Sequence, residues 1–182
     1  MKHAFLITLL CILCCSPGSA RDLVRGYRGF VEWDNAIGKT DYWNDEILDY
    51  DKDTLWFLGL STSHGFQFNP HLYIGIGCML SCANPTGDIT IPVFADIRYD
   101  AKFGKFTPFV DFRGGFYSDG TSYGGLYITP TIGYSFQHAK KINFNLGLGV
   151  TLRDVKVFYS PEYESERKMN TLFTIRFSID FK

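Results

Sequence analysis

Apolar and polar residues alternate with a period of two along most of this chain, the mark of extended strands whose two faces meet different surroundings. Eight segments carry the pattern: residues 22–34, 55–66, 71–81, 89–100, 107–117, 123–136, 141–153 and 169–182. One face is hydrocarbon and aromatic. It reads Trp56, Leu58, Leu60 in the second segment, Leu72, Ile74, Ile76, Cys78, Leu80 in the third, and Ile91, Val93, Ala95, Ile97, Tyr99 in the fourth. The fifth gives Val110, Phe112, Gly114, Phe116, and the sixth Leu126, Ile128, Pro130, Ile132, Tyr134, Phe136. The seventh gives Ile142, Phe144, Leu146, Leu148, Val150, Leu152, and the eighth Phe173, Ile175, Phe177, Ile179, Phe181. No Asp, Glu, Lys or Arg falls on this face. The first segment is mixed, with Tyr27, Val31 and Trp33 on one face against Arg28, Phe30 and Glu32 on the other.

A water-soluble barrel or sandwich would turn such an apolar face inward. The composition of the other face argues for the inverse. It carries Ser61, Ser63, Gly75, Gly77, Asp96, Arg98, Asp111, Arg113, Thr129, Thr131, Asn143, Asn145, Arg153, Thr174, Arg176 and Asp180. Glycine and small hydroxyls suit a crowded lumen, whereas a solvated surface is normally covered by Lys and Glu. Tyr99, Tyr134, Phe136 and Phe181 fall near one set of strand ends and Trp33, Trp56 and Phe116 near the other, as two interfacial girdles require. Most segments reach the roughly 9–11 residues with which a tilted strand crosses a bilayer. The fold expected is therefore all-β: an eight-stranded antiparallel up-and-down transmembrane β-barrel with a packed polar lumen. The long connections 35–54 and 154–168 are expected as surface loops on the side opposite both termini. Pro108 and Pro130 lack the ladder N–H, so each should mark a strand end or a bulge.

Several stretches resemble strands of the small eight-stranded outer-membrane β-barrel superfamily. They are Tyr73-Ile-Gly-Ile-Gly77, Ile91-Pro-Val-Phe-Ala-Asp-Ile-Arg98, Thr107-Pro-Phe-Val-Asp-Phe-Arg-Gly-Gly115, Thr129-Pro-Thr-Ile-Gly-Tyr-Ser-Phe136 and Phe173-Thr-Ile-Arg-Phe-Ser-Ile-Asp-Phe181. That superfamily includes OmpA-like and OmpX-like proteins and the short outer-membrane barrels of Bacteroides-type bacteria. The resemblance covers nearly all of residues 21–182 and implies a bacterial outer-membrane location and contact with outer-membrane lipid. The last strand resembles the signal read by the outer-membrane insertion machinery, which implies recognition through Phe173, Phe177 and Phe181. Lys182 follows that terminal aromatic, a departure from the family pattern.

Residues 1–20 read as an export signal, with Met1-Lys2-His3 for charge, Phe5 to Leu13 for the apolar stretch and Gly18-Ser19-Ala20 before Arg21. Cys14 and Cys15 follow Leu13 and Cys14, not the small residue that lipoprotein processing requires. Cys78 and Cys82 remain, too far apart on one extended strand to pair unless the chain turns between them. The 182 residues hold 18 Lys+Arg against 19 Asp+Glu, a formal net charge of -1, and no basic patch stands out, so no nucleic-acid partner is expected.

The hairpin from Ile89 to Tyr117 carries the most specific charge pattern. With Gly104-Lys105 at its turn, Arg98 falls opposite Asp111 and Asp96 opposite Arg113, an alternating-sign square inside the barrel. Arg28, Glu32, Arg153, Arg176 and Asp180 extend it. Such a network either gates a narrow pore or neutralises charge in a filled lumen, and eight strands favour the filled lumen. Residues 34–54 hold seven acids against Lys39 and Lys52, with Tyr42, Trp43 and Tyr50 interleaved. Asp49-x-Asp51-x-Asp53 lacks the glycine and the twelfth-position Glu of an EF-hand, which leaves a surface loop that meets ligands as the plainer reading, its extracellular ligand unknown. No metal centre, cofactor or catalytic residue is expected. The histidines left for a lipid-modifying enzyme are His64, His71 and His138, and none stands at a recognised catalytic spacing.

Overall fold

A computed structural model of the chain describes residues 25–44, 49–84, 87–101, 106–118, 124–139, 142–157 and 166–181. The export signal expected over residues 1–20 lies outside them. Eight strands follow in order: β1 Gly26–Asn44, β2 Asp49–Gln67, β3 Leu72–Asn84, β4 Ile89–Asp100, β5 Phe106–Ser118, β6 Gly124–Ala139, β7 Ile142–Val157 and β8 Glu166–Phe181. Each pairs antiparallel with its neighbours in sequence, and β1 pairs with β8, so the sheet closes and has no free edge at mid-height.

The alternation explains the closure. Odd positions of β1, β4 and β8 and even positions of β2, β3, β5, β6 and β7 look outward, where Leu60, Ile76, Leu80, Phe116 and Ile132 are among the most exposed side chains. Their neighbours one residue along look inward and are buried. In β1 the mixed pattern resolves the same way: Tyr27, Val31 and Trp33 are outside, and Arg28, Phe30 and Glu32 are inside. Every charged side chain named in the lumen network is at most 3% exposed. A one-residue slip would exchange the two faces of a strand, so the pattern itself holds the register.

Four expectations need correction. First, 35–54 is strand over 35–44 and 49–54, and 154–168 is strand over 154–157 and 166–168, so neither is a loop throughout. β1 and β2 stay in register to Asn44↔Asp49, and β7 and β8 to Val157↔Glu166. These stretches lack an apolar face, which masks them as strands in the sequence, but a hairpin projecting beyond the apolar band has no need of one. The register sets Asp41 opposite Lys52 and Trp43 opposite Tyr50, pairs that favour a hairpin. Second, Trp33 and Trp56 sit in the middle of β1 and β2 and not at strand ends, because β1 continues to Asn44 and β2 begins at Asp49. Third, Pro130 marks neither an end nor a bulge. It lies opposite Phe112, and the β6–β7 ladder merely skips it, from Ile128↔Leu152 to Thr131↔Gly149, without a shift of register. Pro92 leaves a similar gap between Cys78↔Val93 and Ser81↔Thr90. Pro108 lies near the start of β5, where its carbonyl accepts from the Ala101 N–H. Fourth, the lumen is not uniformly polar: Phe30, Phe57, Tyr73, Phe94, Phe109 and Leu172 are buried in it. Cys78 and Cys82 are free thiols on the outer face of one straight strand.

Candidate functional site in the barrel lumen

The inward positions build three layers. Nearest the end that holds the first residues of β1 and the last of β8, Arg28 bridges two strands: Nη1 meets Asp100 at 2.5 Å, Nε donates to Asp180 at 2.8 Å, and Nη1 also reaches Gln67 Oε1 at 2.8 Å. Arg98 Nε donates to Asp100 at 2.7 Å, and its Nη2 donates to Ser135 at 2.6 Å and Asn145 at 2.8 Å. Asn145 passes the chain on to Ser178 at 2.9 Å, and the Asn143 N–H donates to Asp180. Two guanidiniums and two carboxylates balance in this layer.

The middle layer is richer in acid. Arg113 pairs with Glu32 and lies 3.4 Å from Asp96, 3.6 Å from Asp111 and 3.7 Å from Asp34. Arg176 Nε donates to Asp34 at 2.5 Å, and its Nη1 pairs with Asp111. Ser61 donates to Asp34 at 3.0 Å. Charge-assisted contacts of this kind are short and strong, and in a low-dielectric interior they offset much of the cost of burying the ions.

In the outer layer Arg153 donates to Thr90 at 2.8 Å and lies between two rings, 4.1 Å over Phe57 and 4.4 Å over Tyr117. Beside it Thr129, Thr151 and Thr174 form a hydroxyl chain at 2.9 and 2.7 Å. A cavity with room for about one water separates this layer from the middle one, lined in part by Ser81, Met79, Tyr127 and Arg153. The aromatic residues serve the cations elsewhere too: Arg98 lies 3.7 Å over Phe109, Arg28 4.7 Å over Phe30 and Arg113 4.7 Å over Phe94. Gly133 makes room for one of these contacts, since a Cβ there would stand 2.6 Å from the Phe109 ring and 2.2 Å from the Leu146 carbonyl oxygen.

The register of the Ile89–Tyr117 hairpin is the predicted one, with Arg98↔Asp111 and Asp96↔Arg113. The side chains do not follow it as a square. Arg98 turns to Asp100, Ser135 and Asn145, while Asp111 is met by Arg176 from across the barrel. Only Asp96 and Arg113 remain neighbours as expected. The sequence reading missed Asp100 and counted Asp34 among the acids of an outer loop. Strand parity was the available signal, since Asp34 continues Arg28 and Glu32, and Asp100 continues Asp96 and Arg98. Tyr42, Trp43, Asp49, Asp51 and Asp53 stand in the projecting β1–β2 hairpin, and their side chains lie outside what is described. Among the described residues, no group of three His, Cys, Asp or Glu is placed to hold a metal ion.

His64 lies outside the barrel near the same end as Arg28. Its Nδ1 is 2.5 Å from the Tyr27 hydroxyl and its Nε2 is 2.8 Å from Thr62 Oγ1. Thr62 has one proton, and that proton goes to the Phe30 carbonyl. The arrangement consistent with all three bonds has Nε2 donating to Thr62 and Tyr27 donating to Nδ1. An imidazole so placed takes no proton from the threonine and does not activate it.

No family model matches the chain, and no curated protein matches it. Among solved structures it is similar to the crystal structure of Neisserial surface protein A, NspA, with a TM-score of 0.59 and 10% identity over 87% of this chain and 98% of that one. It is also similar to the outer membrane protein AlkL in DMPC lipid bilayers, with a TM-score of 0.56 and 10% identity over 91% of this chain and 94% of that one. At such identity the likeness is one of fold: this chain adopts the closed eight-stranded antiparallel architecture of outer-membrane barrels.

Proposed function

We propose that the protein resides in a bacterial outer membrane as a structural or surface-interaction barrel whose lumen is closed to solutes. The observation that carries this reading is the inversion of the two surfaces: the ionised groups are enclosed, while Ile76, Leu80, Phe116 and Ile132 stand out on the exterior. In water such a continuous apolar belt would drive aggregation, whereas in a bilayer it is solvated by acyl chains. Outer-membrane lipid is thus its first partner. The insertion machinery is a second, engaged through the outward-facing Phe173, Phe177 and Phe181 of the last strand. Within the outer-membrane barrels, the resemblance of its strand motifs to those of the OmpA-like and OmpX-like proteins and the Bacteroides-type short barrels supports reading it as one of that kind.

The lumen supports a plug in preference to a pore, since three layers of hydrogen-bonded and stacked side chains span it. A catalytic role is not part of the reading. Contact with other molecules falls to the two projecting hairpins, β1–β2 and β7–β8. Outer-membrane fractionation with heat-modifiable gel mobility tests location and fold together, and recovery in a soluble fraction would refute the proposal. Planar-bilayer recording tests the plug: the baseline is expected to stay silent, and discrete conductance steps would restore the narrow-porin alternative.

A further inference from the structure

We infer that the β1–β8 seam is where the closed wall opens, and that Tyr27, His64 and Phe181 form a clasp over Gly29 that holds it shut from outside. Connectivity singles out this seam. Each of the other seven pairs of neighbouring strands is joined by its own connecting segment, whereas β1 and β8 are the first and last strands of the barrel and no connection ties them. Their pairing begins at Gly29↔Phe181 and ends at Gly38↔Leu172. Strands without a tether gain the most chain entropy on parting, so local opening starts between them.

The exterior at the Gly29 end of the seam departs from the rest of the apolar belt. Thr62 and His64 are polar side chains at outward positions, where acyl chains offer no hydrogen bonds. Their needs are met within the cluster, since Tyr27 donates to His64 Nδ1 at 2.5 Å and Nε2 donates to Thr62 at 2.8 Å. Gly29 stands opposite His64 in one ladder and opposite Phe181 in the other. The three rings meet around it, with centroids 6.0 Å apart for Tyr27 and His64, 6.3 Å for Tyr27 and Phe181, and 6.4 Å for His64 and Phe181. A Cβ at position 29 would stand 2.6 Å from the Phe181 ring and 2.9 Å from the Tyr27 hydroxyl, although the backbone there is open to any residue. The glycine is therefore a seat for the Phe181 ring. Tyr27 lies beyond the last rung and reaches back across the end of the seam, while His64 links β8 to β2, with which β8 shares no rung. Inside the barrel the same end is held by Arg28 Nε, which donates to Asp180 at 2.8 Å. The seam is thus fastened on both faces at the end where β8 stops.

The test is hydrogen exchange of the folded protein in phosphatidylcholine vesicles, read residue by residue along β8 and along the β4–β5 ladder. In the wild-type protein the β8 amides that bond to β1 are expected to exchange first, through an opening insensitive to low urea, while the β4–β5 amides wait for global unfolding. Tyr27→Phe keeps the ring and deletes the bond to His64, so it should speed exchange across the seam about fivefold and leave β4–β5 unchanged. Gly29→Val fills the seat of Phe181 and should speed seam exchange further with the same selectivity. Exchange of seam and β4–β5 amides in one cooperative step in the wild-type protein would overturn the inference. So would a Tyr27→Phe effect that is absent, or that spreads equally over both ladders. The wild-type comparison and Tyr27→Phe settle the question even where Gly29→Val fails to fold.

Discussion

Arg28 illustrates how a single side chain ties distant parts of the chain together. Its guanidinium joins β1 to Asp100 at the end of β4 and to Asp180 near the end of β8, and it is 2% exposed. Arg28→Ala would leave Asp180 buried with no guanidinium, while Asp100 would keep Arg98. Loss of one partner from a buried pair costs about 3–5 kcal/mol, so urea unfolding in lipid vesicles should show a loss of that size. The outer face obeys the opposite rule. Ile175→Arg is expected to cost roughly 2–4 kcal/mol if the residue sits near the bilayer midplane, whereas the adjacent inward Thr174→Ser should change stability little. Equal tolerance at both positions would contradict the assigned faces. Side-chain partners were the least legible part of the sequence: parity placed Arg98 and Asp111 inside and in register, but a flexible guanidinium can reach several strands, and only the closed geometry shows which carboxylate it meets.

At the level of the strand, the period-two signal is strong wherever one side touches hydrocarbon and faint wherever both sides are polar. That is why Leu72–Asn84 and Ile89–Asp100 were legible nearly to their ends, while Lys39–Asn44 and Asp49–Thr54 passed for a loop. The same contrast predicts where the barrel can be cut. β1–β8 pairing ends at Gly38↔Leu172, and β2–β3 pairing ends at Trp56↔Asn84. A protein shortened to a two-residue Asn-Gly turn between Lys39 and Thr54 should therefore keep its heat-modifiable mobility and melt close to wild type. Unfolding of this deletion would mean that the outer hairpin holds up the wall instead of rising from it. Pro130 teaches a smaller lesson: skipping one rung costs less than shifting every later side chain to the wrong face, so the ladder keeps its register across the proline.

For the molecule as a whole, closure and inversion of surfaces follow from two facts readable at the outset, the strict alternation and the absence of charge on one face. What could not be read was the division of the interior into a balanced layer, an acid-rich layer and a ring-lined layer. That division depends on which strands stand across from one another, and on aromatic residues such as Phe94 and Phe109 that share the polar parity. Rings stacked on guanidiniums let a narrow tube be filled with cations without matching each one to an acid.

The two thiols of β3 provide a native ruler for how deeply the wall is immersed. They project outward four positions apart on one extended strand, about 13 Å along it, with Cys82 lying towards the β3–β4 connection and Cys78 deeper. A polar maleimide added from outside should therefore modify Cys82 faster than Cys78, with the gap in rate narrowing as shorter-chain lipids thin the surrounding film. A reversed order would mean that the sleeve of acyl chains sits at a different height on the barrel, and single-cysteine variants made by Cys→Ser exchange would read that height without any foreign label site.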